Sequence, residues 1–425
     1  MKPAGTITGF AFEHAVRALA QVLPGGAAAD RVLSTYFRAN PNLGSADRSV
    51  VAETVYAALR NRRSLAACAG SEFPRDLALA ALVRVRGLNL KQCAHFLRDG
   101  ESELLGRIKA VALDALPEPV RHDLPDWVWQ RLVDERGQQG AVELARALKG
   151  IAPLTLRANS IKATREDVIA GLAATGLAAH ASPFSPHGVV VEGKPALQRH
   201  PMFLSGAFEV QDEGSQLLAE LLAPRRGEMV ADFCAGAGGK TLALGALMRS
   251  TGRLYAFDVS AARLAKFKLR QARSGLSNVH PLRIESENDI RVKRLAGKFD
   301  RVLVDAPCSG LGTLRRNPEL KWRQMPADVE QLAAKQFAIL VAAGRLVKPG
   351  GRLVYATCSV LAEENARVVA RFLAATPDFQ PVCAADVLQS RGISIPDAAA
   401  GDALELLPQR HGTDGFYAMA MERGR

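Results

Sequence analysis

Apolar and polar positions alternate in three different rhythms along the chain. Up to about residue 120 the rhythm is helical: within 45–67 the apolar positions Val50, Val51, Val55, Ala58 and Leu59 form one helix stripe. Further helices are predicted at 76–86 and 89–98, Pro117, Pro119 and Pro125 punctuate a linker, and 125–137 restarts a helix. A mixed stretch follows, with strands predicted at 153–159 and 188–193 and a strand running into a helix over 206–224. Its helix at 164–176 opens with Thr164 and Asp167 at capping-box spacing and stops at a glycine. From about 225 short continuous apolar runs at 228–233, 253–257, 279–284, 299–304 and 351–356 alternate with helical text at 240–249, 260–275, 328–347 and 361–375. That alternation predicts a parallel sheet covered by helices on both faces, and 404–421 reads as a closing antiparallel pair.

Composition narrows the class. The chain has 425 residues, 48% hydrophobic and 23% charged, which suits two or three globular domains. It contains no run of eighteen apolar residues, and Glu13, His14 and Arg17 interrupt the one apolar segment near the start, so neither a membrane span nor a signal peptide is expected. The six cysteines form no CxxC pair, which argues against a zinc site or a disulfide framework and for reduced thiols in a cytoplasm. The net charge of +12 is spread along the chain and admits a polyanionic partner without requiring one.

Two constellations carry chemistry. The first parallel strand ends in "DFCAGAGGKT" (232–241), at the place in an open α/β sheet where ligands meet helix amides. A P-loop needs glycine at 234, where Cys234 stands, and the GxGxxG pattern starting at Gly236 meets Thr241 where its third glycine belongs. What remains is a close-approach turn followed by a strand ending at Asp258, where a carboxylate can accept bonds from ribose hydroxyls. Together these suggest a nucleoside-bearing cofactor; a plain glycine turn with a helix-capping Asp258 is the bland alternative.

The second constellation is a pair of thiols. Cys308 follows the fourth strand in "VDAPCSG" (304–310) and Cys358 follows the fifth in "YATCS" (355–359), with Asp305 beside the first. Fourth and fifth strands are commonly neighbours, so both thiols are expected to face one pocket. Cys68, Cys93 and Cys383 read as packing. Between the thiols, "LGTLRRNPELKWRQ" (311–324) interleaves Arg315, Arg316, Lys321 and Arg323 with Trp322, a pattern that suits a phosphate backbone and an unstacked base but also a solvated loop.

From about residue 150 onward, the cofactor loop, Asp258, "DAPCSG", "RRNPELKW" and "YATCSVLAEEN" (355–365) occur in the order of the RsmB/NOP/NSUN family of RNA 5-methylcytosine methyltransferases, which this sequence resembles. The resemblance implies a Rossmann-like, doubly wound class I methyltransferase domain at 216–425. A small α+β RNA-recognition-like module at 125–215 and an all-α NusB-like domain at 1–124 would precede it. It implies S-adenosylmethionine as cofactor, bound on Cys234, Ala235, Gly236, Ala237, Gly238, Gly239 and Lys240, with Asp258 on the ribose, Arg263 beside the adenine and Asp305 nearby. Cys358 is implied as the nucleophile at C6 of cytosine, Asp305 as the partner of N3, and Cys308 as the aid to product release. Arg315, Arg316, Lys321 and Trp322 are the RNA-binding candidates. The family loop is usually Cys-Ala-Ala-Pro-Gly-Gly-Lys; here Gly236 and Ala237 replace its third and fourth residues. The family's Gly-Asp after the third strand is absent from "IESENDI" (284–290), leaving Asn288, or else Asp289, to meet the adenine.

The implied partner is RNA, with ribosomal RNA preferred over transfer RNA, acted on by a cytoplasmic monomer without a metal. A DNA cytosine-5 methyltransferase would use the Pro-Cys cysteine as nucleophile, and the second thiol Cys358 weighs against it. An inert RNA-binding assembly factor is the rival from another class, opposed by the presence of both cysteines, Asp305 and the glycine loop.

Overall fold

The helical stripe at 45–67 breaks at Asn61 (φ −118°, ψ 27°) into two helices, Ser45–Arg60 and Arg62–Ala69. In the computed structural model, which describes residues 7–425, they pack with helices Gly9–Val22, Pro74–Ala80 and Glu101–Ala110. Phe12, Leu19, Val55, Leu59, Leu77 and Leu82 lie in their common core. The helix expected at 89–98 is one short turn, Leu90–Cys93, followed by a 3₁₀ turn, Ala94–Phe96. This unit takes the chain up to Ile151 and also claims Thr313–Met325. Helix Asp126–Lys149, kinked at Gly137 (φ 70°), lies within the same stretch.

The second unit, Ala152–Gly312 with Pro326–Arg425, contains two sheets. The smaller joins β1 (Leu154–Ala158), β2 (Ala179–Ala181), β3 (Gly188–Val191) and β4 (Phe208–Val210) in the antiparallel order β2-β3-β1-β4. The larger is built on five parallel strands: β5 (Met229–Asp232), β6 (Arg253–Asp258), β7 (Val279–Arg283), β8 (Phe299–Asp305) and β9 (Val347–Thr357). Their spatial order is β9-β8-β5-β6-β7, so the order reverses at β5, where a doubly wound sheet opens its binding crevice. β10 (Phe379–Val382), β11 (Ala399–Ala400), β12 (Ala403–Leu406) and β13 (Phe416–Arg423) extend the sheet. The closing pair expected at 404–421 is β12 and β13, antiparallel with Leu404 opposite Ala418; β13 also pairs with β9. The Rossmann-like fold class expected from the sequence is the fold observed.

Helix Glu213–Leu222 joins the two sheets and is buried at every residue, polar ones included. Its apolar face (Leu217, Leu218, Leu221) enters the core of the large sheet. Two of its polar side chains, Glu213 and Gln216, reach the small module: Glu213 Oε1 accepts from Ser182 Oγ (2.5 Å), Phe184 N (2.7 Å) and Ser185 N (2.7 Å). Gln216 Nε2 donates to Leu156 O in β1 (3.1 Å). Buried polar groups bonded this thoroughly fasten the module to the large sheet. Among the described residues no helix is long and apolar enough to cross a membrane.

Removing the Glu213 carboxylate strands three buried donors at about 1–3 kcal/mol each. Glu213→Ala is therefore expected to lower unfolding stability by about 3 kcal/mol or more, measured from the urea midpoint; a midpoint equal to that of the wild type contradicts this role.

Candidate active site

The turn after β5 is set by a few tight contacts. Asp232, at the strand end, accepts from Thr241 Oγ1 (2.7 Å), and burial pushes its carboxyl up to about 7. Ala235 N donates to Phe257 O in β6, and Gly236 N donates to Asp258 Oδ2 (2.8 Å), so the turn is fastened to the neighbouring strand end. Gly238 has φ +83°, and a Cβ there would lie 1.8 Å from the Phe267 ring, so no other residue fits. Arg270 Nη1 holds Ala237 O (2.8 Å) while its Nε bonds Glu209 in β4 (3.0 Å). Helix Gly239–Leu247 then leaves the turn.

The acidic strand end behaves as a ligand-facing group with local support. Asp258 Oδ1 accepts from Ser260 N (2.7 Å) and lies 3.2 Å from Arg263 Nη2. Lys240, the last residue of the glycine loop, donates from Nζ to Asp305 Oδ2 at the end of β8 (2.6 Å). Burial works against its ammonium, but the Asp305 carboxylate more than offsets this and the Lys240 pKa is raised, so the cation persists across physiological pH.

β8 and β9 run side by side in parallel with Asp305 opposite Ala356, so the turns that follow them start together. Cys308 Sγ lies 3.3 Å from Cys358 Sγ. The hydrogen bond to Cys358, then burial, raise the Cys308 pKa well above the ordinary thiol value, which keeps it protonated as the donor of the pair. Gly312 N donates to Cys358 O (2.9 Å), and a Cβ on Gly312 would meet Gly415 O at 2.2 Å. The turn is thus closed down onto the second cysteine.

A cavity of about 270 Å³ runs between these groups. Cys234, Asp258, Arg263, Asp305, Cys308 and Cys358 all line it, with Phe233, Val259, Ile284, Pro307 and Ile339 as its apolar wall. The Cys234 thiol is pushed well up by burial and by the nearby Asp232, Asp305 and Asp258 carboxylates, which leaves it inert as a nucleophile. A polar end at Asp258, an apolar flank and an open turn (a Cβ on Gly236 meets nothing closer than 3.9 Å) fit a nucleoside with a charged tail. Among the described residues no group of three or more His, Cys, Asp or Glu is placed to hold a metal.

Other sequence candidates land elsewhere. Asn288 bonds Glu287 (3.1 Å) and does not line the cavity. Asp289 caps helix Ile290–Lys293 and accepts from Glu285 N and Arg291. Glu287, which the sequence reading passed over, is the residue of this turn that lines the cavity. The RNA candidates belong to Thr313–Met325 and so to the helical unit. There Lys321 is 3% exposed, donates to Arg60 O (3.0 Å), and is pushed down to about 7 by burial. Trp322 Nε1 donates to Leu59 O (3.0 Å), and Arg60 Nη1 donates to Arg315 O (2.9 Å). Arg315 is itself buried, and Arg316 is half-buried. Lys321 and Trp322 are thus packing anchors within the protein: the same basic–aromatic text that suits RNA also suits a segment docked on helix ends. Missed altogether were Glu364 and Gln336, which bond the cysteine turns from below; an acidic residue six positions past Cys358 is the one trace they leave in the sequence.

Comparison with known proteins agrees with this geometry. The family model described as 16S rRNA methyltransferase RsmB/F matches residues 219–422, and that of the RsmF/B-like ferredoxin-like domain matches 124–198. A relative from Synechocystis sp., named probable ribosomal RNA small subunit methyltransferase B, is 35% identical over 309 residues, spanning 71% of this chain and 67% of its own length. One of the same name from Bacillus subtilis is 32% identical over 323 residues, spanning 73% of this chain and 70% of the relative. The solved structure of a methyltransferase homolog protein from Pyrococcus horikoshii superposes with a TM-score of 0.63 at 28% identity, covering 74% of this chain and all of the other. On sequence, fold and site together, the chain belongs to the 16S rRNA methyltransferase RsmB/F family.

Proposed function

We propose that this RNA methyltransferase modifies C5 of a cytosine in small-subunit ribosomal RNA through a covalent adduct of Cys358. The observation that carries the reading is the pair of thiols 3.3 Å apart at the wall of a cavity that Cys234, Asp258 and Asp305 also line. C5 of an aromatic pyrimidine is a poor carbon nucleophile, and one thiol that adds to the ring plus one group that takes a proton off it answer that difficulty.

S-adenosylmethionine fits the turn Cys234–Lys240 with Asp258 at its ribose and Arg263 beside its base, and it supplies a methyl group on a sulfonium. The Cys358 thiolate forms its bond to C6, and the ring electrons move toward C5 and N3. Asp305, with the Lys240 ammonium on its Oδ2, hydrogen-bonds N3 through the proton that N3 takes up as charge develops there, the one Cys358 gives up on attack, an interaction stronger in the transition state than before it. Once C5 carries the methyl group, its proton must leave before the Cys358–C6 bond breaks and the aromatic ring returns. Cys308 takes that proton as its thiolate, after its own thiol proton has passed to solvent, and Cys358 then leaves C6 as a thiolate: the forces that raise the Cys308 pKa make its thiolate a strong base. The target base must enter from a single strand or flip out of a helix.

With tritiated S-adenosylmethionine and undermethylated small-subunit RNA, label is expected in cytosine. Cys358→Ala is expected to lower the rate by at least about 10³-fold, the scale of losing a covalent nucleophile, while cofactor affinity stays within about twofold of the wild type; label in another base, or a Cys358→Ala enzyme of normal rate, overturns the assignment.

Cys308→Ala is expected to stall after methyl transfer and to accumulate a protein–RNA species that survives denaturing gel electrophoresis. If Cys358→Ala accumulates that species and Cys308→Ala does not, the roles are reversed.

A further inference from the structure

The chemistry above leaves one buried charge without a task. Glu364 follows β9 and has no exposed surface. Its carboxylate is met by uncharged donors only: Ser309 N (2.7 Å) and Gln336 Nε2 (3.0 Å) on Oε1, Ser309 Oγ (2.5 Å) and Ser359 Oγ (2.5 Å) on Oε2. Taking a carboxylate out of water without a cation costs several kcal/mol, and four converging donors are what makes it tolerable here.

Those donors come from three separate segments. Ser309 is the neighbour of Cys308, Ser359 is the neighbour of Cys358, and Gln336 belongs to helix Pro326–Gly344, from which it also donates to Pro307 O (2.9 Å). The Glu364 carbonyl in turn takes the Tyr355 hydroxyl of β9 (2.5 Å). Each thiol is therefore one residue from the same carboxylate. We infer that Glu364 is a positioning residue for the methyl transfer: its carboxylate clamps the two cysteine turns together and fixes the separation and inequality of the thiols. The inference rests on the two-thiol reading given above. Its charge also lies near Cys308 and adds to the forces that raise the pKa of that thiol. A glutamine keeps the size of the side chain but offers one acceptor oxygen in place of two and no charge.

Two measurements on the full-length protein test this. The first is steady-state methyl transfer; the second is the ratio of Cys358 to Cys308 labelling when the native protein meets limiting iodoacetamide, read by peptide mass spectrometry. Glu364→Gln is expected to lower kcat on the order of 10²-fold, the scale of a small misplacement of reacting groups. The RNA KM and the S-adenosylmethionine affinity stay within about threefold, and kcat is taken per cofactor-binding site, so that loss of folded protein cannot imitate the effect. The labelling ratio is expected to fall toward one. Should Glu364→Gln not fold, Ser359→Ala, which unties only the Cys358 side, carries the same expectations at smaller size. Wild-type kcat and wild-type labelling ratio in the folded variant overturn the inference. If the wild type labels Cys358 selectively but transfers no methyl group to cytosine, the function reading fails instead, and the clamp stands or falls on the labelling ratio of the variant.

Discussion

Everything at the site depends on the parallel pairing of β8 with β9. Val304 lies opposite Tyr355 and Asp305 opposite Ala356, so two turns distant in sequence begin at one edge of the sheet. Parallel strands present the same end to the same side, and a doubly wound sheet leaves that end open for ligands. A shift of this register by one residue would turn every side chain of β9 to the opposite face and separate the thiols. The buried Tyr355 ring and the branched side chains along the pair (Val302, Leu303, Val304, Val354) add burial to the hydrogen-bonded ladder that sets the register.

The electrostatics around this edge are deliberately uneven. Three cysteines line one cavity, yet Cys234 and Cys308 are held as thiols by burial, neighbouring carboxylates and, for Cys308, the bond to Cys358. One ammonium, Lys240, is fixed on Asp305 on the same side. In the proposed mechanism the jobs of nucleophile, base and charge partner are separated by these environments, since the thiol groups themselves are chemically identical. The glycine turn belongs to the same design: the backbone of Gly236 is spent on Asp258, and Gly238 yields its side-chain volume to Phe267.

Much of this was legible in the sequence because it is local. Apolar runs gave the five parallel strands, the glycine turn and Asp258 marked the crevice, and two cysteines at strand ends marked the chemistry. What the sequence hid depends on contacts between distant segments. Lys321 and Trp322 read as RNA ligands because a basic–aromatic stretch has the same composition whether it faces a phosphate or caps the carbonyls of Leu59 and Arg60. Helix Glu213–Leu222 fastens the small sheet to the large one because its polar residues find partners in the small module, which no periodicity announces. Glu364 carries no signal of its own, since an acidic residue in a loop normally points to water. Around the third strand the expectation fell on Asn288, whereas the backbone turns Glu287 toward the cavity.

The central claim is that Cys358, and not the cysteine of the Pro-Cys turn, forms the bond to the base. The direct measurement uses target RNA carrying 5-fluorocytosine, whose C5 substituent cannot leave as a proton, followed by protease digestion and mass spectrometry of the trapped nucleotide–peptide. The account predicts the added mass, with one methyl group, on the peptide containing Cys358. The same mass on the peptide containing Cys308 would contradict it.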